Sequence, residues 1–248
     1  MFMFFTCKER VVEGGADGKG ETVSFIKGLK GLVKNKYWIL MVISVFAMYF
    51  MMSTFFGSAV YFTMYNMGND GYYAMVSNLL SIAQIITLFI TPFLMKKVSK
   101  RNLFMAGMAI ATVGFVISGI STDYSIICAS SVIKGIGFGC GGATMFGCLQ
   151  DAITYGTAGM GNAASSFCMK VGSGIGTAAL GWILDAGGFD AALEVQSASA
   201  LSSITVAFAW VPVITSVICV ICMAMFNLDK YYGQVVADLE AGKHRGDN

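Results

Sequence analysis

Six apolar runs, each close to 20 residues long or longer, leave this chain few ways to fold. They extend near 38–64, 74–95, 103–121, 124–148, 160–184 and 201–226. A helix needs about 20 apolar residues to cross roughly 30 Å of hydrocarbon. Within lipid every backbone N–H and C=O must find a partner inside the protein, so a span is either a helix or part of a closed barrel. Runs this long, without ten-residue inside/outside alternation, select helices. Composition agrees, since 56% of the residues are hydrophobic and only 12% charged, against about 25% charged in soluble domains. The expected fold is an all-α membrane protein with six transmembrane helices over 38–226. Residues 1–37 are read as the end of a preceding helix plus a cytoplasmic loop, and 227–248 as a cytoplasmic tail.

Basic residues are retained on the cytoplasmic side of a membrane, so their distribution predicts orientation. Of the 16 lysines and arginines, seven precede the first run, four (Lys96, Lys97, Lys100, Arg101) separate the second from the third, and Lys230, Lys243 and Arg245 follow the sixth. The intervening connections carry Asp70, Asp123, Asp185, Asp190 and Glu194 instead. Both termini are therefore expected to be cytoplasmic. The net charge of +2 gives no reason to expect a nucleic-acid partner.

Two lysines remain, Lys134 and Lys170, each about ten residues from the end of its run, or roughly 15 Å at about 1.5 Å per residue. A lysine at mid-membrane costs at least about 2.5 to 3.5 kcal/mol on insertion scales, so it is expected to face protein or water rather than lipid. At about 100° per residue, Ser166, Lys170, Ser173 and Thr177 fall on one stripe of the fifth run. The second run has a comparable stripe through Ser77, Ser81, Gln84 and Thr91. Lys134, Lys170 and Gln84 at one depth suggest a hydrated central cavity. The competing reading is that Lys134 snorkels and that the hydroxyls bond their own backbone.

The glycines point to close helix packing. Gly135, Gly137, Gly139 and Gly141 in the fourth run, and Gly172, Gly174, Gly176 and Gly181 in the fifth, form pairs that let helix backbones approach, and predict contact between these two helices. Residues 137–142 also spell G-x-G-x-x-G, but without a surrounding strand the nucleotide reading is rejected. Pro92 and Pro212 are candidate kinks. Cys219 and Cys222 have C-x-x-C spacing inside a membrane span and are read as free thiols. Trp38 and Trp182 suit an interfacial belt, whereas Trp210 lies deeper, where it is either packing or a ring for stacking on a sugar. No role is assigned to His244.

Before the first run, residues 24–33 form a short basic amphipathic stretch suited to the cytoplasmic interface. Several strings then carry a family resemblance. Phe5-Thr-Cys-Lys-Glu-Arg-Val11 resembles the exit of the sixth helix in glycoside-pentoside-hexuronide:cation symporters, the melibiose permease family of the major facilitator superfamily. Leu32-Val-Lys-Asn-Lys-Tyr-Trp38 resembles that family's entry into helix seven, and Val60-Tyr-Phe-Thr-Met-Tyr-Asn-Met-Gly68 the exit from it. Leu149-Gln-Asp-Ala-Ile-Thr-Tyr-Gly156 resembles the aspartate-to-Tyr-Gly motif after helix ten, and 162–181 resembles helix eleven with its lysine. The ordered set maps the whole chain onto the C-terminal half of the family.

The resemblance implies symport of a sugar or glycoside with Na⁺ or H⁺ across the plasma membrane, by alternating access between two six-helix halves. Lys170 would face the cavity and hydrogen-bond sugar hydroxyls or a hexuronate carboxylate. Gln84, Lys134, Ser166, Ser173, Thr177, Tyr61, Tyr65 and Trp210 are further candidate substrate contacts, and Asp151, Tyr155 and Gly156 candidate gating residues. No cofactor or bound metal is expected. The coupling ion is expected mainly in the N-terminal half, because the family's cation-coordinating aspartates belong there and no Asp or Glu of this chain lies at mid-membrane. The family usually continues past Tyr-Gly with an acidic residue, an aromatic-lysine pair and a further basic residue, where this chain has only Thr157-Ala-Gly-Met160. The short loop and the missing half also fit a non-transporting membrane interaction module or a truncated remnant. An intramembrane enzyme is disfavoured, because the runs hold no buried histidine, carboxylate pair or G-x-S-x-G site.

Overall fold

The structure is a computed structural model and describes residues 34–152 and 158–226. The amphipathic stretch, the tail, and the candidate residues Tyr155 and Gly156 lie outside the described residues. Six helices of membrane-crossing length are present: α1 (Lys36–Asn66), α2 (Tyr72–Leu94), α3 (Lys100–Ile120), α4 (Tyr124–Ala152), α5 (Ala158–Ala186) and α6 (Ala198–Ala224). Among the described residues there is no strand.

Local chemistry sets most of the helix starts. Asn35 accepts from the Tyr37 and Trp38 N–H groups at 3.0 and 3.2 Å. Asp123 accepts from Ser125 and Ile126 at 2.9 and 3.3 Å, and Ser197 from Ala200 at 3.2 Å. Each side-chain oxygen satisfies donors that the first turn of a helix leaves without an internal partner. Gly68, at φ +71°, ends the chain's exit from α1 in a left-handed turn that a larger residue rarely adopts.

The helices run alternately up and down, which gives the bundle a basic end and an acidic end. At the basic end Asn35 donates to the Ala152 carbonyl, and Arg101 donates to the Met223 and Ala224 carbonyls that terminate α6. At the acidic end Tyr72 stacks near Tyr124, with ring centroids 4.3 Å apart, and Asn66 bonds the start of α6.

The helices α1, α6, α3 and α4 form an inner ring, closed by a lighter contact between α4 and α1, while α2 packs outside α4 and α5 outside α1. Expected contact between the glycines of α4 and α5 is not what forms. A Cβ on Gly137 would stand 2.6 Å from the Ala111 nitrogen of α3, and one on Gly176 2.6 Å from the Phe50 carbonyl oxygen of α1. Gly135 and Gly139 receive α2 on another face of α4. The spacing of small residues fixes how closely a helix can be approached, but not by which neighbour. Lipid is as apolar as the helix surfaces, so it is van der Waals fit at these seams, more than escape from water, that holds the ring together.

Two wide turns of π-helix interrupt the ladder, over Phe62–Asn66 in α1 and Val206–Trp210 in α6. The second has a cause in the sequence. Pro212 has no N–H to return to Phe208, and its ring crowds the carbonyl four residues back, so the preceding turn widens and Val211 donates to Val206 instead. Pro92, by contrast, sits within a helix that continues to Leu94. The two π turns meet face to face, with Phe62 and Phe208 stacked at 4.1 Å and 13°.

Candidate functional site

The stripe predicted on α5 is present and open. Ser166, Lys170 and Thr177 are exposed and Ser173 is half-buried. The Thr177 hydroxyl donates to the Ser173 carbonyl at 3.1 Å and lies 2.8 Å from the Ser53 hydroxyl of α1. Thr54 adds a bond to the Gly176 carbonyl at 3.1 Å. The seam between α1 and α5 is thus polar at the level of Thr177, and Ser53 belongs to it. Sequence reading missed Ser53 because its partner lies 124 positions away; the adjacent Ser53-Thr54 pair in an otherwise apolar run was the available signal.

The three residues expected at one cavity have different surroundings. Lys170 stands on the open flank of α5, and Gln84 is half-buried on α2. Lys134 is fully buried inside the inner ring. Its ammonium donates to the Ser118 hydroxyl at 3.0 Å and lies 4.7, 4.9 and 5.5 Å from the ring centroids of Phe208, Phe55 and Phe115. It neither snorkels nor reaches a surface. Aromatic faces carry negative quadrupole charge and stabilise a cation without a carboxylate.

The remaining candidates scatter. Tyr61 and Tyr65 both meet the edge of Phe189, each at 5.3 Å. Tyr65 also borders an open cavity of about 410 Å³ at the acidic end, together with Asp70 and Glu194. Trp210 lies over Gly119 of α3, where its indole would meet any added Cβ at 3.1 Å, and is 39% exposed. Asp151 receives the Lys100 ammonium on both carboxylate oxygens, at 2.9 and 2.8 Å, which joins the basic ends of α4 and α3. No group of three or more His, Cys, Asp or Glu among the described residues is placed to hold a metal ion.

The helices differ in how much of themselves they hide. Within the most apolar stretch of each, 44% to 56% is buried in α1, α3, α4 and α6, but only 28% in α2 and 22% in α5. A mid-span lysine on the least covered helix defines a surface that is unsuited to lipid.

Six antiparallel helices of this length make the chain an integral, multi-pass membrane protein of the major facilitator fold. Crystal structures of the E. coli fucose:proton symporter FucP share that fold, with TM-scores of 0.69 and, for the outward conformation, 0.63; identity is 16%, and 91% of this chain aligns with 51% of theirs. A family model described as MFS/sugar transport protein matches residues 1–230, and the chain belongs to that family. It is 31% identical over 256 residues to an isoprimeverose transporter of Lactiplantibacillus pentosus, an alignment covering 99% of this chain and 52% of the relative. The chain thus spans about half the length of the curated relative it matches, and the family is one of transporters rather than enzymes.

Proposed function

We propose that this chain is the C-terminal half of a secondary active transporter that carries a sugar or glycoside with Na⁺ or H⁺ by alternating access. The observation that carries this reading is Lys170, an ammonium near mid-span exposed on α5 without a hydrogen-bond or ion-pair partner among the described residues. A lysine at that depth needs water, a ligand or protein against it. An N-terminal six-helix half, laid across the open flanks of α2 and α5, would supply a wall and enclose a hydrated path between the halves. The relative's name and the half-length match support the same assignment.

In this arrangement Lys170 donates to sugar hydroxyls, with Ser166, Ser173 and Thr177 extending the polar stripe and Gln84 approaching from α2. The coupling ion binds mainly in the N-terminal half. Asp151, held by Lys100, anchors the end of α4 that leads into Tyr155 and Gly156, so its part in gating is to keep that end in place. Both termini face the cytoplasm of a cell whose plasma membrane holds the carrier.

The test is uptake of labelled sugar by cells that co-produce this chain and a family N-terminal half, with Lys170→Ala beside wild type. Uptake that depends on both halves and falls in the variant supports the reading. Wild-type uptake by Lys170→Ala would remove Lys170 from the path, and no uptake from any pairing would favour the interaction-module alternative.

A further inference from the structure

The transport reading uses Lys170 and leaves Lys134 without a task. Burying an ammonium without a carboxylate is expensive, and a hydrophobic residue of similar size usually fills such a site at no loss of stability. The described carboxylates, Asp70, Asp123, Asp151, Asp185, Asp190 and Glu194, all lie at or beyond helix ends, so none answers this charge. What answers it comes from three other helices: Phe55 of α1, Phe115 and Ser118 of α3, and Phe208 of α6. The aliphatic stem crosses α3 at Gly114, where an added Cβ would stand 2.7 Å from Lys134 Cγ. The slot is shaped for a chain of this length ending in a cation.

Phe208 links this cage to the irregular part of the bundle. It lies at the centre of the π turn of α6, stacks on Phe62 at the first position of the π turn of α1, and offers its face to the ammonium. Beyond the stack, the Asn66 amide donates to the Leu201 carbonyl and the Thr205 hydroxyl, both at 3.0 Å. Single π turns are rare interruptions that often sit at functional sites, and here two of them lean on each other. An open cavity bordered by Met64 and Tyr65 lies against the π turn of α1.

We propose that Lys134 is a positioning residue for the acidic-end segments of α1 and α6: its caged ammonium holds the Phe208–Phe62 stack, and through it the paired π turns, in register. Its work is done by charge, not by bulk. A neutral, unbranched side chain of similar length leaves the bundle folded but frees the two segments to open together.

The experiment is hydrogen–deuterium exchange on the 248-residue chain in lipid nanodiscs, which needs no transport and so stands or falls apart from the transport reading. In Lys134→Met, amides over 62–69 and 201–211 are expected to exchange about tenfold faster or more than in wild type, while those over 40–55 and 213–222 keep their rates. In Lys134→Ala, n-propylammonium is expected to restore slow exchange in both segments and 1-propanol, which has the same chain length, is not. Unchanged exchange in Lys134→Met, faster exchange spread evenly over all six helices, or equal rescue by the alcohol would each overturn the proposal. Should the alanine variant fail to fold, the methionine variant decides alone.

Discussion

Lys134 and Lys170 are the same residue type at comparable depth, yet the fold gives them opposite surroundings. Lys134 is enclosed by three phenylalanine faces and one serine hydroxyl, whereas Lys170 stands exposed on a stripe with serines and a threonine, on a helix whose most apolar stretch is 22% buried. One charge is satisfied within the described chain, and the other has no hydrogen-bond or ion-pair partner there. The contrast teaches that an intramembrane lysine marks a need for compensation rather than a binding site, and that the helix carrying it decides who provides the compensation.

The largest effect that would break this contrast is on transport. In an assembled carrier Lys170→Ala is expected to lower sugar uptake by about ten- to hundredfold, the equivalent of losing a hydrogen bond to a charged group, with membrane insertion intact by surface labelling. Lys134→Met, tested beside it, is expected to retain more uptake than Lys170→Ala; the reverse order would exchange the roles assigned to the two residues.

Stability should rank the other way. Gly137→Leu forces a side chain into the α3–α4 seam and is expected to cost about 3 kcal/mol or more, read as loss of the folded monomer in detergent melting curves. Lys134→Ala empties the slot across Gly114 and is expected to cost about 2 to 5 kcal/mol, while Lys134→Met fills it and stays within about 1 kcal/mol of wild type. A methionine variant as unstable as the alanine one would show that the ammonium holds the whole ring together, not one end of it.

The smallest effect is expected at the basic end. Lys100 and Asp151 keep 42% and 22% of their side-chain surface, and an ion pair of that exposure contributes about 0.2 to 1 kcal/mol. Asp151→Asn should therefore shift the melting curve little, and a larger uptake defect than stability defect would assign the pair to gating.

The six spans were legible in the sequence to within a few residues, because the length of an apolar run and the need to satisfy the backbone in lipid are local properties. The π turn before Pro212 had a visible cause in the missing N–H, but that of α1 had none. Neither did the bond between Asn66 and α6, which joins residues 135 and 139 positions apart. The polar stripe of α5 was visible from helical periodicity, though not its continuation through Ser53.

What the sequence determined alone is the solvent of this protein, the number and length of its helices, and the presence of two charges that lipid would not tolerate. Only the tertiary structure decided which neighbour each glycine face receives and which lysine is enclosed. Small-residue spacing and mid-span charge state a requirement on the surroundings, and those surroundings are built from helices distant in sequence. At Lys134 it takes α1, α3 and α6 together to meet the requirement; at Lys170 the described part of this chain leaves it open.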